Sequence, residues 1–538
     1  MKTMLLKKWK CWVSVAFCLL IFLFWWLCYP HALSYQEQYQ LFLWTGDYFW
    51  DSLRVPGGLA AYLGEFVVQF YFVEWLGALL LAILFALAQW LTWRNMHTDK
   101  PQWYPLSFAT PVLLLWLMGD ESVLLSYVVA LIAVLAAALL IPRGKTGWKH
   151  QLADFLLVAV LYWLFGPMTL LYVALRLIRG GWKSAWTVVY LPLLMLLAYR
   201  FLLPQWSMAS VLTGMVYYRI PETGCAMMWI LPLVTLAVCC LSRLGTFRFL
   251  WMGEVALLAV VAWLALGMGY EREKYELIRQ DYLVRNERWD EIIDRASEYQ
   301  VKTPFSSVCV NLALAQRRQL ADRMFDFWQS GPDALVMPRQ RDLTSMLPSA
   351  EAFWHLGMVN SAQRYMFDTQ ESILNARKSG RCTKRIVECM LVNGHYKPAA
   401  KHIDLLKKSL FYRSWAADAE TYLNNETKIS QHPVWGKKRR YRFRNDFLYS
   451  PLELDKILGM LFMNNPENKM ALDYSLAQML LNGNVPVFLQ NLQLAQRYGG
   501  YTSMPRGYQD VVNCARSGGA AENSPYMNFF QRMRQVKQ

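Results

Sequence analysis

The sequence predicts an all-α protein in two parts: a polytopic transmembrane helical bundle over residues 1–269 and a soluble α-helical repeat domain over residues 270–538. Residues 1–269 contain a series of apolar stretches separated by short loops, which is typical of a multi-pass membrane domain. After Gly269 the chain becomes rich in charge, and apolar residues recur at intervals of three and four, which is the period of amphipathic helices.

The membrane segments are predicted from length and apolar composition. The hydrocarbon core of a bilayer is about 30 Å thick, and a helix crosses it with roughly 20 mostly apolar residues. About nine segments qualify: Trp12–Cys28, Val68–Trp90, Pro105–Met118, Val123–Ile141, Leu152–Phe165, Met168–Leu177, Ala185–Leu203, Met227–Leu241 and Leu250–Met268. The fifth and sixth alternatively form a re-entrant pair broken at Gly166 and Pro167, which leaves seven crossings.

Cations in the connecting loops predict the orientation, because cytoplasmic loops carry an excess of Lys and Arg. With the N-terminus inside, the outer loops contain only Arg54, Arg200 and Arg219. The inner side then contains Lys2, Lys7, Lys8, Lys10, Arg94, Lys100, Arg143, Lys145, Lys149, Arg176, Arg179, Lys183, Arg243 and Arg248. An odd number of crossings places residues 270–538 on the extracytoplasmic side.

The soluble half reads as a series of helical hairpins, and it resembles tetratricopeptide-type repeats. Ala471, Leu480, Gly483 and Ala495 lie where that family places small and apolar residues, and Asn465 to Asn468 resembles its turn between repeats. The resemblance implies a concave surface for peptides or partner proteins. The alternative is an ordinary helical bundle without a groove.

The cysteines and the basic residues of this half leave their roles open. Cys309, Cys382, Cys389 and Cys514 allow three disulfide pairings if the domain is exported, and no CxxC, HExxH or Cys/His cluster predicts a zinc site. The basic run Gly436–Asp446 resembles a nucleic-acid patch, but an exported segment does not meet nucleic acid. We therefore expect it to contact lipid phosphates or anionic glycans, or to form a solvated loop.

The first outer loop, residues 30–67, carries the candidate chemistry. It is rich in aromatic residues, which favours helices lying at the membrane interface. Glu37, Asp47, Asp51 and Arg54 are set into this aromatic surface, and the next outer loop contains Asp120 and Glu121.

This arrangement resembles the C-type (GT-C) membrane glycosyltransferases, in which the first outer loop forms interfacial helices with an acidic catalytic residue. Glu37 lies closest to that position, and Asp47 is the second catalytic candidate. The resemblance implies that Asp120 and Glu121 assist or bind a divalent metal. Transfer from a lipid-phosphate donor also requires cations on the departing phosphate, and Arg54, Arg200 and Arg219 are the candidates.

The whole chain also resembles an uncharacterised family of bacterial multi-pass proteins that carry an exported helical-repeat domain, which implies a bacterial inner membrane. The sequence is compatible with two main functions. The first is an enzyme that transfers a sugar or related group from a lipid-linked donor at the extracytoplasmic face. The second is a non-catalytic scaffold whose repeat domain binds envelope proteins while the spans anchor it. A transporter is a third, less favoured function.

Overall fold

The computed structural model describes residues 9–98, 100–140, 147–181, 184–246, 249–339, 344–374, 377–443, 450, 453–498, 501–516 and 524–537. Within these residues every regular element is helical, which confirms the predicted all-α class, and an isolated β-bridge joins Val123 to Tyr218. The chain divides into two compact units, Met1–Arg272 (unit 1) and Glu273–Gln538 (unit 2).

Unit 1 is a bundle of helices joined by short connections. In chain order the helices are α1 (Trp9–Leu23), α2 (Pro30–Gln38), α3 (Gly46–Ser52), α4 (Gly58–Val68), α5 (Glu74–Met96), α6 (Ala109–Leu117), α7 (Leu125–Leu139), α8 (Trp148–Phe165), α9 (Thr169–Gly180), α10 (Trp186–Leu197), α11 (Met208–Thr213), α12 (Met227–Leu241) and α13 (Leu250–Gly269). Helix α5 packs against α1 and α7, and α6 packs against α12 and α13.

The predicted count of nine membrane-spanning helices is wrong. Among the described residues, four stretches are long and apolar enough to cross a membrane: Trp9–Cys28, Glu74–Met96, Trp148–Gly180 and Leu250–Gly269. The shorter apolar helices are Leu125–Leu139, Trp186–Leu202 and Met227–Leu241. A helix rises 1.5 Å per residue, so a 15-residue helix such as α7 is only about 22 Å long. The segment predicted at Pro105–Met118 forms two parts, a 3₁₀ turn and the nine-residue α6.

The stretch Trp148–Gly180 folds back on itself. Gly166 adopts φ +68° and ends α8, and a 3₁₀ turn over Gly166–Met168 leads into α9. Arg176 Nε then donates to Asp154 Oδ2 at 2.8 Å, although the two residues are 22 positions apart. A straight helix would separate them by roughly 33 Å. Helices α8 and α9 are therefore the antiparallel arms of a hairpin broken at Gly166.

The connections of unit 1 gather into two groups. The first group contains the loops predicted to lie outside, and we call it the loop end. There the Gly57 N–H donates to the Trp163 carbonyl at 2.9 Å, the Leu124 N–H donates to the Tyr217 carbonyl at 2.9 Å, and the rings of Tyr29 and Tyr270 lie 4.8 Å apart. These contacts join segments that are far apart in sequence.

The second group contains the loops predicted to lie inside. Arg179 donates to the Asn95 side chain at 2.6 Å, Lys100 donates to the Leu244 carbonyl at 3.3 Å, and Ser242 donates to the Met96 carbonyl at 3.0 Å. Helices α5 and α12 run from one group to the other, so the two groups occupy opposite ends of the bundle. Lys2, Lys7, Lys8, Arg143, Lys145, Lys183 and Arg248 lie outside the described residues.

Unit 2 consists of helices that pack mostly against their neighbours in sequence, as in α18 with α19 and α25 with α26. Gly357 and Gly394 follow α18 and α20 with φ near +86° and +79°, which lets the chain turn sharply there. The helices are α14 (Arg272–Arg285), α15 (Trp289–Glu298), α16 (Pro304–Gln316), α17 (Leu320–Arg323), α18 (Met346–Leu356), α19 (Val359–Glu371), α20 (Gly380–Asn393), α21 (Tyr396–Lys407), α22 (Arg413–Glu420), α23 (Glu426–Gln431), α24 (Trp435–Tyr441), α25 (Leu454–Asn464), α26 (Lys469–Leu481), α27 (Val485–Arg497), α28 (Arg506–Arg516) and α29 (Pro525–Lys537).

The four cysteines considered for disulfides, Cys309, Cys382, Cys389 and Cys514, are buried free thiols. Burial raises the pKa of the Cys382 thiol to about 11, so this side chain is neutral at physiological pH. These thiols pack as small apolar groups in unit 2.

Within the described part of the basic run at Gly436–Asp446, Lys438 and Arg439 contact the protein, whereas Lys437 and Arg440 are exposed. Lys438 is buried, and its Nζ donates to the His355 carbonyl at 3.1 Å, in the last turn of α18. Arg439 donates to the Leu391 and Val392 carbonyls at the end of α20. Both side chains therefore donate to carbonyls in the last turns of helices, which are left without partners inside the helix. Residues 444–446 lie outside the described residues.

Candidate functional site at the loop end of unit 1

The loop end contains a polar cluster built around Gln36. Pro30 begins α2, because its fixed φ and missing N–H suit the first helical position. The Gln36 side chain is buried, and its Nε2 donates to the Glu121 carbonyl at 2.7 Å and to the Val123 carbonyl at 3.2 Å. Gln36 thereby ties the first outer loop to the second.

The segment after α11 completes the cluster. Gly214 adopts φ +103° and starts a turn, in which the Tyr217 N–H donates to the Gly214 carbonyl. The Tyr217 hydroxyl donates to the Phe165 carbonyl in the α8–α9 hairpin. The Tyr218 hydroxyl donates to Asp120 Oδ2 at 2.9 Å, and the Arg219 N–H donates to the Ser122 carbonyl at 2.7 Å. Three consecutive residues therefore contact two different parts of the loop end, the α8–α9 hairpin and the second outer loop.

Arg219 is the buried cation of this cluster. Only 7% of it is exposed, and its guanidinium lies 5.3 Å from the Tyr35 ring centroid and 4.8 Å from that of Tyr39, within the range of cation–π attraction. Its Nη2 donates to Gln36 Oε1 at 3.3 Å, which is a long hydrogen bond. Its Nε is buried and has no hydrogen-bond partner within the part of the chain that the structure describes. The guanidinium is therefore poorly satisfied.

Asp120 has both carboxylate oxygens engaged. Oδ1 accepts from the Ser122 N–H at 2.9 Å, and Oδ2 accepts from Tyr218. Burial, followed by the charge of Asp120, raises the pKa of the Tyr218 hydroxyl, so it is a protonated donor. No group of three His, Cys, Asp or Glu residues suited to a metal occurs among the described residues. The metal site that the resemblance implied at Asp120 and Glu121 stays a prediction.

The other predicted residues are either buried, as Glu37 is, or exposed, as Asp47, Arg54 and Arg200 are. Glu37 is buried in α2, next to Gln36 in sequence, so it lies at the loop end. Asp47 is exposed in the first turn of α3, and Arg54 is exposed and pairs with Asp51 at 3.1 Å. Arg200 is exposed on the π-helical turn that follows α10. Of the three outer arginines, only Arg219 is held inside the protein.

An apolar cavity of about 340 Å³ lies beside the cluster, and the sequence analysis did not predict it. It lies between α9 and α12 and shares Tyr217 with the loop end. Its lining residues are Tyr127, Pro167, Met168, Leu170, Leu171, Ala174, Thr213, Tyr217, Met228, Trp229, Pro232, Leu233 and Leu236. Pro167 and Pro232, which interrupt apolar runs, are the sequence signal for it.

A family model matches residues 7–538, and its description is "Family of unknown function (DUF6057)". The chain belongs to this family. Nothing among the curated proteins or the solved structures matches the chain. Membership of the family covers both units and is consistent with a chain that combines them throughout the family, but it carries no activity.

Proposed function

We propose that this protein is a membrane enzyme of the bacterial inner membrane that transfers a sugar or related group from a lipid-linked donor at the extracytoplasmic face. The observation that carries the proposal is the buried guanidinium of Arg219, which has no carboxylate partner among the described residues and whose Nε has no hydrogen-bond partner among them either. A buried cation with unused donors is unfavourable unless a ligand completes it.

The chemistry of Arg219 suits the phosphate of such a donor. A guanidinium presents paired N–H donors that match two phosphate oxygens, and charge-assisted bonds of this kind are the strong ones. The rings of Tyr35 and Tyr39 hold the guanidinium in place before a ligand arrives. Charge that develops on a departing phosphate would therefore meet a preorganised cation.

In the proposed reaction, the Glu37 carboxylate removes the proton from an acceptor hydroxyl. The acceptor oxygen forms a bond to the anomeric carbon while the bond from that carbon to the phosphate oxygen breaks, and the lipid phosphate leaves with the electron pair. The proton remains on Glu37, and Arg219 stabilises the phosphate. Burial of Glu37 supports its role as base, because carboxylates of catalytic sites are often partly desolvated.

The first experiment measures the binding of polyprenyl phosphate to the full chain in nanodiscs by native mass spectrometry. We expect Arg219→Gln to weaken binding by about ten-fold to a hundred-fold, which is the effect of losing a charge-assisted hydrogen bond. Arg200→Gln, at an exposed outer arginine, is the matched control and should bind as the wild type does. Equal affinities for all three proteins would contradict the proposal.

The second experiment concerns catalysis. Cells that carry Glu37→Gln should lose the envelope glycan that the enzyme produces, while Asp47→Asn, at an exposed carboxylate of the same loop, should leave it unchanged. Immunoblots establish that both variants reach wild-type levels. Unchanged glycans in the Glu37→Gln cells at normal protein level would argue strongly against catalysis at this residue.

The orientation belongs to the same proposal, with the N-terminus in the cytoplasm and unit 2 outside. The loop end of unit 1 then faces outward together with Arg219. A periplasm-specific reporter joined to the C-terminus should be active, whereas activity of a cytoplasm-specific reporter at that point would reverse the whole arrangement.

A scaffold is the second candidate, and the successive packing of neighbouring helices in unit 2 favours it. Such packing resembles tetratricopeptide-type repeats, whose concave surfaces bind peptides or proteins. Under this hypothesis the domain recruits envelope proteins and the membrane helices serve as an anchor. A strain that expresses Arg219→Gln as its sole copy separates the candidates, because full function of that strain fits a scaffold and contradicts the enzyme.

A further inference from the structure

The apolar cavity between α9 and α12 has a definite depth. Its wall runs along α9 from Met168 to Ala174 and along α12 from Met228 to Leu236. At 1.5 Å per residue, these stretches extend roughly 9 to 12 Å from the loop end toward the middle of the bundle. The cavity is therefore elongated along the helices and begins at Tyr217.

Pro232 explains why a cavity forms there. A proline inside a helix has no N–H for the carbonyl four residues earlier, and its ring presses against that carbonyl. The carbonyl concerned is that of Met228, and the Tyr127 hydroxyl donates to it at 2.7 Å from α7. The hydrogen bond that α12 loses at Pro232 is thus replaced from a neighbouring helix, and both residues line the cavity.

The three hydroxyl groups in the lining form hydrogen bonds within the protein. The Tyr127 hydroxyl bonds to Met228, the Tyr217 hydroxyl bonds to Phe165, and the Thr213 hydroxyl donates to the Pro221 carbonyl at 2.9 Å. The three hydroxyls of the lining are therefore engaged within the protein, and the remaining lining, Trp229 included, is mostly apolar, so it suits an apolar occupant.

The opening of the cavity lies on an apolar surface. Leu170, Trp229 and Leu233 line it and are exposed by 38%, 44% and 64% respectively. In a bundle with helices apolar enough to cross a membrane, such a surface contacts lipid. The molecule that meets this opening is therefore a membrane lipid.

We infer that this cavity holds one hydrocarbon chain of a membrane lipid whose phosphate binds at Arg219. The inference rests on the proposed function and names the part of the ligand that the cavity takes. A volume of about 340 Å³ is near the lower limit of ligand pockets and suits one chain rather than two. Tyr217 lines the cavity and is two residues from Arg219, so the segment after α11 connects the chain site to the phosphate site.

The cavity positions the chain rather than supplying the driving force for binding. Lipid tails outside are as apolar as the cavity wall, so no hydrophobic gain accompanies entry, and packing alone selects the chain. We therefore expect filling of the cavity to change where the chain lies, while loss of the cation changes how strongly the phosphate binds.

Photo-crosslinking tests the inference with the full chain in nanodiscs. Two probes carry a diazirine within the chain, one a phosphatidylglycerol and the other a polyprenyl phosphate. We expect labelled peptides to map to α9 and α12 around Ala174 and Leu236. The probe that labels these positions identifies the source of the chain. Labelling that is spread evenly over the exposed apolar helices, with both probes, would overturn the inference.

Variants make the test specific. Ala174→Phe places a ring in the cavity and should lower labelling of α12 on the order of ten-fold. Val189→Phe, at a 72% exposed position of α10, is the matched control and should label as the wild type does. Leu236→Phe, from the opposite wall, repeats the test if Ala174→Phe fails to fold. Unchanged labelling in a folded cavity variant would overturn the inference.

The two proposals fail differently. If Ala174→Phe loses cavity labelling while Arg219→Gln binds the phosphate as tightly as the wild type does, a lipid chain in the cavity is supported. Phosphate binding at Arg219, and with it the proposed function, is then contradicted. If Arg219→Gln binds the phosphate more weakly while Ala174→Phe is labelled as the wild type is, phosphate binding at Arg219 is supported. The lipid chain in the cavity is then contradicted.

Discussion

Unit 1 and unit 2 both bury charged side chains, but they treat them differently. In unit 2, Arg381 pairs with Asp281 at 2.7 Å, Arg385 pairs with Glu351 at 2.7 Å and with Glu388 at 2.5 Å. In unit 1, Arg219 has no carboxylate partner among the described residues, and its one side-chain hydrogen bond to a protein atom, with Gln36 Oε1, is long. Within the described part of the chain, a buried guanidinium nitrogen without a hydrogen-bond partner occurs in both units, at Arg219 Nε and at Arg385 Nε, so the missing carboxylate is what distinguishes Arg219. The buried arginines of unit 2 are matched by carboxylates and stabilise the fold, whereas Arg219 lacks such a partner, which is the property on which the proposed ligand site depends.

The two units also differ in where their protein-bound cations lie along the sequence. Lys438 and Arg439, which the sequence suggested as a binding patch, donate to carbonyls at the ends of α18 and α20. Arg219, an isolated arginine in a loop, occupies the polar cluster instead. The density of positive charge along the sequence therefore did not identify the buried cation of the polar cluster in unit 1.

The largest expected effect concerns the ion network of unit 2. Glu351→Ala leaves Arg385 without its partner on α18, and removal of one member of a buried pair costs about 3–5 kcal/mol. Hydrogen exchange of unit 2 peptides in the full chain should accelerate accordingly. The control is Asp290→Ala, which breaks an exposed pair with Arg317 and should cost roughly 0–1 kcal/mol. Similar exchange in the two variants would show that the network does not hold unit 2 together.

The second effect concerns the hairpin of unit 1. Arg176→Leu leaves Asp154 buried without its cation, so unfolding should become easier by about 3 kcal/mol. The double variant Arg176→Leu with Asp154→Leu should recover most of that loss, because an apolar pair replaces the ion pair. Denaturation in nanodiscs measures both. No recovery in the double variant would mean that the ion pair itself, rather than an uncompensated charge, determines stability.

The third effect is a pH dependence in unit 2. Burial, then the nearby Lys437 and Arg385, lowers the pKa of Lys438 to about 7, although Glu287 and Glu351 act in the opposite direction. The unfolded chain then binds more protons than the folded one between pH 7 and about 10, so the free energy of unfolding rises with pH by at most about 1.4 kcal/mol per unit.

The measurement is denaturation of the full chain between pH 7.5 and 9. Lys438→Met removes the titrating group, so its profile should be flatter than that of the wild type over this range. Lys437→Met, at the exposed neighbouring position, is the control and should retain most of the slope. Equal slopes in the wild type and Lys438→Met would show that Lys438 keeps its proton as an exposed lysine does.

The smallest effect sharpens the comparison most directly. Without lipid, Arg219→Met should change the free energy of unfolding by less than about 1 kcal/mol, because the wild-type guanidinium is poorly satisfied and Met packs against the same rings. Polyprenyl phosphate should then raise the melting temperature of the wild type and leave that of Arg219→Met unchanged. A large loss of stability without lipid would make Arg219 a structural arginine like Arg381.

The helices of both units were predictable because their periodicity and apolar length are local properties of the chain. The number of full-length spans was not predictable. The apolar run that begins near Pro105 and the run broken at Gly166 do not form straight long helices, and α7 and α12 are shorter than their apolar composition suggested. For the site, the sequence selected Glu37, Asp47, Asp120, Glu121 and the three outer arginines by residue type. It did not indicate that Arg219 is the buried arginine or that its partner is Gln36, because these two residues are 183 positions apart.

The sequence alone determined that this protein is helical, that its first half is apolar enough for a membrane, and which loops carry the cations. Only the tertiary structure decided that Arg219 is buried while Arg54 and Arg200 are exposed, that α8 and α9 fold back on each other, and that a cavity adjoins Tyr217. The physical reason is that helix formation and membrane insertion depend on neighbours along the chain. Burial, pairing and cavities depend on which distant segments come into contact.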